Sequence, residues 1–243
     1  MLFYDNSLLA ICFGNRENKL YPDEYLNLSK DRNILEKEPF AKLQKLLDIE
    51  YLTFLKQTHS TNGLVVTHDH MTMPSFTHEG DFLITDIPSI GLGIMTADCL
   101  PLIINDPVHN VIATVHAGWK GTINNIAITV IKKMQKLFKT NLDNVHLIFG
   151  PSAKKCCYQV SENFVSYIRN NTLVNDKKVL HRKNGKLFFD LPGFNQFLLE
   201  AAGIKKNAFC LDYNICTICD NQFFSYRRQG EQAGRQMTIA HLK

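Results

Sequence analysis

Apolar and polar positions alternate in short blocks through the middle of the chain. FLIT (82–85), GLGIMT (91–96), LPLIIND (100–106) and VIATVHA (111–117) are brief apolar runs rich in β-branched residues. Each predicts a strand. DPVHN between the last two reads as a hairpin turn. LLAICF (8–13), the start of YLTFLKQTHS (51–60), VHLIFG (145–150), LFFDL, NAFCLD and RQMTIAHL add further strands. The period changes after Thr122. Ile123, Ile126, Ala127, Val130, Ile131, Met134, Leu137 and Phe138 recur every three or four residues. That spacing predicts an amphipathic helix over 122–138, with Thr122 as its N-cap. FAKLQKLLDI (40–49) and 162–169 predict two more helices. PGFNQFLLEAAGI predicts another, with Pro192 in its first turn and Gly203 at its end. Strands and helices are interspersed, and consecutive strands are often close. The pattern predicts an α/β (α+β) layer fold with a mixed β-sheet flanked by helices, and a single domain over residues 1–243.

Composition narrows the function classes. The 243 residues are 45% hydrophobic and 21% charged, ordinary for a globular protein with a substantial core. The net charge of +4 is too small, and Lys and Arg too scattered, to predict nucleic-acid binding. The segment MLFYDNSLLAICFGNRENK lacks the basic start of a signal peptide, and no apolar run is long enough to cross a membrane. A cytoplasmic location is therefore expected. The seven cysteines fit reduced thiols or metal ligands better than a disulfide framework.

Several side chains could carry chemistry. Cys99, taken alone, reads as core, because free cysteine is among the most buried residue types. His116 lies inside an apolar strand and needs partners for both ring nitrogens. His59, in KQTHST, adds a third soft or borderline donor. Two His and one Cys leave one tetrahedral position open, the pattern of catalytic zinc. Their separations, 40 and 17 residues, match no short metal-binding motif. His68, His70 and His78 fall in a polar, turn-like stretch and read as a solvated loop. CTIC (216–219) has C-x-x-C spacing, but no second pair of matching spacing completes a zinc ribbon. Cys156 and Cys157 are adjacent, so in an extended chain their side chains diverge. In HAGWKGT, Gly118, Lys120 and Gly121 lead into a helix, which reads either as an anion-binding start or as a Gly-rich turn. Arg227, Arg228 and Arg235 sit near aromatics in FFSYRRQGEQAGRQ and suit phosphate or carboxylate binding.

The combination GDFLITD, MTADCLPLIINDP, ATVHAGWKGT, FGPSAKKCCYQV and FFSYRRQGEQAGRQ resembles the laccase-domain family. These proteins were long labelled multicopper polyphenol oxidases and are now regarded as purine nucleoside phosphorylases with adenosine deaminase side activity. The resemblance runs from about residue 13 to residue 242. It implies a single mixed α/β domain of the type found in toxin deamidases. It implies a zinc site, with copper as the alternative, on His59, Cys99 and His116. It implies a purine nucleoside and phosphate as substrates. Thr58 and Ser60 stand where the family more commonly has Val and Gly. Catalytic roles are expected for Cys99 and His116, with Asp98 as an orienting or acid/base group. Arg16, Lys120 and Arg227 are the expected substrate contacts. Rival functions are a copper oxidase of phenols and a cysteine hydrolase, for instance a peptidoglycan editing factor, using Cys99 and His116. A non-catalytic protein with a structural zinc is a further alternative. Monomer and homodimer both remain open.

Overall fold

The computed structural model describes residues 1–16, 38–72, 75–169 and 176–243. Among these, the strands form three sheets. A five-stranded sheet has the order Leu2–Asp5, Leu9–Phe13, Gln236–Leu242, Ile90–Thr96, Tyr51–Phe54. A six-stranded sheet has the order Phe209–Cys210, His146–Phe149, Leu100–Asp106, Val111–Ala117, Phe82–Thr85, Gly63–Val65. Both are mixed. Tyr51–Phe54 runs parallel to Ile90–Thr96, and Gly63–Val65 runs parallel to Phe82–Thr85. Gln159–Val160, Lys186–Phe189 and Leu180–Lys183 make a small antiparallel sheet.

The two-residue period of each strand sorts its side chains between layers. Leu9, Ile11 and Phe13 share a core with Leu83, Ile103, Ile112 and Ile148, so the two large sheets pack face to face. Cys12, Met237 and Ile239, on the opposite face of the five-stranded sheet, pack with Leu43 and Leu47 of the helix Glu38–Leu47. Leu100, Leu102, Ile104, Val111, Ala113 and Val115 pack on the other side, against the helices Ile126–Phe138 and Leu191–Ala201. The result is helix, sheet, sheet, helix. Strands with both faces covered are buried at every position, as Leu100–Asp106, Val111–Ala117 and Gln236–Leu242 are. This explains why their sequences are mainly apolar without strict alternation. The expected layered fold is present, with two stacked sheets where the strand pattern suggested one.

The expected helix over 122–138 is two helices. Trp119–Ile123 is capped by Gly118, and Ile126–Phe138 starts after Asn125, whose φ of 64° breaks the chain direction. Thr122 is not an N-cap. It lies inside the first helix, and its hydroxyl accepts a hydrogen bond from Asn195 Nδ2 at 2.9 Å. The triplet and quartet spacing persists through the break because both helices pack on the same sheet. His68–Thr72 is a 3-10 turn in which His68 is exposed and His70 half-buried, in line with the loop reading; Met73 and Pro74 of that segment lie outside the described residues. NAFCLD shortens to the strand Phe209–Cys210.

Gly93 faces Phe54 directly in the parallel pair, and a Cβ there would collide with the Phe54 ring. That ring is fully buried and stacks on Phe76 at 5.5 Å, so it has little room to yield. Gly93→Ala should cost about 2 kcal/mol by overpacking. At about 2–4 °C per kcal/mol for a chain of this size, thermal denaturation should show a Tm about 4–8 °C lower. An unchanged Tm would mean that the ring moves freely.

Candidate metal centre

The register of three strands assembles the site. Leu100–Asp106 and Val111–Ala117 pair around the 107–110 turn, with Leu100 opposite Ala117 and Pro101 opposite His116. Continued by one residue, that ladder sets Cys99 opposite Gly118. Cys99 is then the diagonal, same-face neighbour of His116. On the other side of the hairpin, Phe82 pairs with Val115, which brings Asp81 level with His116. The His116 amide donates to the Asp81 carbonyl at 2.8 Å, and the Asp81 carboxylate meets His116 Nδ1 at 2.8 Å.

The same carboxylate organises the loop that carries the second histidine. Asp81 accepts hydrogen bonds from the amides of Thr58 (3.3 Å), His59 (3.0 Å) and Ser60 (2.6 Å), and from Ser60 Oγ (2.8 Å). These contacts hold His59 at a φ of 58°, in the left-handed region that non-glycine residues seldom occupy. Gln57 docks the loop on the five-stranded sheet, its amide exchanging two 2.8 Å bonds with the Met95 backbone as a strand partner would. His59 Nε2 thereby lies 3.8 Å from Cys99 Sγ, and the His59 and His116 rings are 4.8 Å apart edge to face.

One donor atom from each of His59, Cys99 and His116 lies within 4.8 Å of the other two. Gly118 makes the approach possible: a Cβ there would sit 2.9 Å from His59 Cδ2 and 3.0 Å from Cys99 Sγ. This close packing accounts for the glycine. Gly121 is likewise pressed against the Ser60 carbonyl.

Electrostatics tie the three groups together. Burial opposes ionisation of Cys99, but the charge and hydrogen bond of His116, helped by His59, outweigh it and draw the thiol down to about 6. Burial likewise disfavours a charged His116, yet the Cys99 thiolate and Asp81 hold its pKa up at about 9. Asp81 is wholly buried, and still its hydrogen bonds from His116 and Ser60 and the His116 charge keep its pKa at about 2. Without a metal, these shifts favour an ion triad of carboxylate, imidazolium and thiolate.

His59, Cys99 and His116, but not the buried Asp81 behind them, line a cavity of about 550 Å³ together with Trp119, Tyr158, Arg227 and Arg235. Asp98 also lines it, but not as a strand residue. Its φ is 88°, and its carboxylate accepts from Thr217 Oγ1 (2.7 Å), Ser225 Oγ (3.0 Å) and the Arg227 amide (2.6 Å). Those contacts fix the turn bearing Arg227. The Arg227 guanidinium lies 5.0 Å over the Tyr158 ring and donates to the Gln159 carbonyl. Burial first, then the negative charges of Cys99 and Asp98, push the Tyr158 phenol up, so it faces the cavity as a neutral donor. Arg16 and Lys120 are not among the cavity-lining residues. Arg16 reaches the Asn221 carbonyl and the Phe224 ring, and Lys120 lies over Trp119.

The family described as multi-copper polyphenol oxidoreductase laccase matches residues 19–243. The chain belongs to this family. Relatives within it carry nucleoside-enzyme names. The purine nucleoside phosphorylase of Clostridium acetobutylicum is 35% identical over 240 residues, covering 98% of this chain and 94% of its own. The adenosine deaminase RL5 of an unknown prokaryotic organism is 30% identical over 86% of this chain and 82% of its own. In structure, the hypothetical protein YfiH of Bacillus licheniformis superposes with a TM-score of 0.80 at 26% identity, over 99% of each chain. YlmD of Geobacillus stearothermophilus shares the fold, with a TM-score of 0.77. Two residues that shape the site of this laccase-family chain, Asp81 and Tyr158, are absent from the set expected from the sequence. Asp81 had a signal, a lone charge directly before the apolar strand 82–85; Tyr158 had none beyond its place in CCYQV.

In metal-free protein, alkylation of Cys99 followed by peptide mass spectrometry should rise with a midpoint near pH 6, well below an ordinary thiol at about 8.5. Asp81→Asn should move that midpoint upward, because it weakens the imidazolium that stabilises the thiolate. A midpoint at the ordinary thiol value in the unsubstituted protein would overturn the ion triad.

Proposed function

We propose that the protein is a metal-dependent purine nucleoside phosphorylase with adenosine deaminase side activity, its metal held by His59, Cys99 and His116. The observation that carries this reading is the convergence of two imidazoles and a depressed-pKa thiol on the Gly118 gap, beside a nucleoside-sized cavity. The donor set fits a borderline metal. With Nδ1 turned to Asp81, His116 offers Nε2, and Asp81 serves as the carboxylate that orients a ligating histidine. Three protein donors suit a catalytic ion with an open position. When bound, zinc supplies Lewis acidity that orients phosphate or water.

The chain's own residues supply the rest. Trp119 and Tyr158 offer aromatic surfaces for a purine, and Arg227 and Arg235 offer positive charge for phosphate. In phosphorolysis a phosphate oxygen forms a bond to C1′ of the ribose as the bond from C1′ to the purine nitrogen breaks. The electron pair leaves with the base, which takes up a proton, giving free purine and ribose 1-phosphate. Asp98 acts as a positioning residue, holding the Arg227 turn through Ser225 and the Arg227 amide. In deamination, water adds at C6 of adenosine and ammonia leaves.

The ion triad favours one rival. Cys99, His116 and Asp81 have the geometry of a nucleophile, its base and an orienting carboxylate, as a cysteine hydrolase needs. Copper oxidation of phenols draws less support, because the second cluster of possible ligands among the described residues contains four cysteines and no histidine.

Purified protein should convert inosine and adenosine with phosphate to base and ribose 1-phosphate, and Cys99→Ala should reduce this by more than about a hundredfold. Chelation should abolish the activity and zinc should restore it. Activity that survives chelation but not thiol alkylation would replace the phosphorylase site with the nucleophile. Metal analysis of protein purified without added copper separates zinc from copper. Arg227→Ala should raise the KM for phosphate about tenfold, equivalent to about 1.4 kcal/mol, with less effect on that for inosine. An equal rise for both substrates would remove Arg227 from the phosphate site.

A further inference from the structure

A second cluster lies outside the His59, Cys99, His116 site. Cys156, Cys157, Cys216 and Cys219 place their four sulfurs within 4.8 Å of one another. Sulfurs at the corners of a zinc tetrahedron with bonds of about 2.3 Å stand about 3.8 Å apart, so little adjustment closes the set. The expectation that adjacent Cys156 and Cys157 diverge fails because the chain there is a turn: the amides of Cys157 and Tyr158 both donate to the Lys154 carbonyl, at 3.0 and 2.8 Å. CTIC is a second turn, with the Asp220 amide donating to the Cys216 carbonyl at 3.1 Å. The two turns are brought together by a short parallel bridge between Ser152 and Cys216, in which Ser152 N meets the Ile215 carbonyl and Thr217 N meets the Ser152 carbonyl. The missing second pair of the zinc-ribbon pattern is thus supplied by two neighbouring residues of another segment.

We propose that these four cysteines bind a zinc ion as a closed structural centre, separate from the catalytic site. Four protein thiolates complete the tetrahedron and leave no open position. Binding displaces four thiol protons and leaves a net charge of −2. Two cations are built into the same turns. Arg228 donates to the carbonyls of Thr217, Ile218 and Asp220, and Lys154 to that of Asn214. The centre clamps the two segments that shape the cavity. Cys157 precedes Tyr158, and Thr217, between the clamped cysteines, donates to Asp98, next to Cys99. The proposal does not depend on the phosphorylase reading.

Metal content of protein purified under reducing conditions tests it. The Cys99→Ala/His116→Ala double variant should keep about one zinc per chain, since its four-cysteine set is intact. Cys216→Ser/Cys219→Ser should lose that ion and keep any metal at the first site. If the first site holds no metal, the unsubstituted protein contains one zinc, all of it lost from the second variant, so the two readings fail separately. Should either variant fail to fold, the unsubstituted protein still decides the matter. Its four thiols should resist alkylation until a chelator is added, and cobalt in place of zinc should give thiolate-to-metal absorption that persists when Cys99 is alkylated. Four freely alkylated thiols, or disulfides between the two segments in the freshly reduced and desalted protein, would overturn the proposal.

Discussion

The Asp81 carboxylate is the constraint on which the site rests. One buried side chain accepts from His116 Nδ1 and from three consecutive backbone amides of the His59 loop. A buried carboxylate is costly unless its lone pairs are filled, and here they are filled by the two histidine-bearing segments. The desolvation cost and the site geometry are therefore linked: the groups that satisfy Asp81 are the groups that must be placed. Its depressed pKa gives the linkage a sign. The stabilisation is present at neutral pH and is lost as pH falls from the ordinary carboxylate value, about 3.9, through about 2.

Much of this was legible in the sequence. The turn DPVHN between two apolar runs fixes a hairpin, and a hairpin with Leu100 opposite Ala117 sets Cys99 diagonally beside His116. Asp81 follows from the neighbouring strand by the same counting, given the pairing of Phe82 with Val115. That pairing is not written in the local pattern, because Phe82–Thr85 and Val111–Ala117 are not consecutive strands. His59 is less accessible still. Its loop leaves the five-stranded sheet after Phe54 and reaches the six-stranded one, so its placement depends on how two sheets stack. Only the resemblance to a family linked it to Cys99.

The local pattern carries least where geometry departs from regular structure. Asp98 would face away from Cys99 in a regular strand; at a φ of 88° it turns to gather Thr217, Ser225 and the Arg227 amide. The glycines of HAGWKGT read either as an anion cradle or as a turn, and their packing is not written locally: Cys99, His59 and the Ser60 carbonyl press on Gly118 and Gly121. In both cases a glycine or a positive φ answers a contact from a segment distant in sequence, a hydrogen-bond donor at Asp98 and close packing at the glycines. Such contacts leave no periodic trace.

The four cysteines carry the same point further. Read as extended chain, CC places two sulfurs on opposite faces, and C-x-x-C alone is an incomplete site. Two turns reverse both statements, and the bridge between Ser152 and Cys216 supplies the contact between them. Adjacent cysteines can share one ion only where the backbone between their side chains folds sharply, as it does over 154–158. The segments joined in this way hold Tyr158 against Arg227 and Thr217 against Asp98. Asp81 orders the histidine side of the cavity from within the six-stranded sheet, whereas Tyr158 and Arg227 come from short segments outside the two large sheets. A zinc ion on Cys156, Cys157, Cys216 and Cys219 would tie those segments together one residue from Tyr158 and one residue from Thr217, and so hold that side of the cavity by coordination where the other side is held by a buried carboxylate.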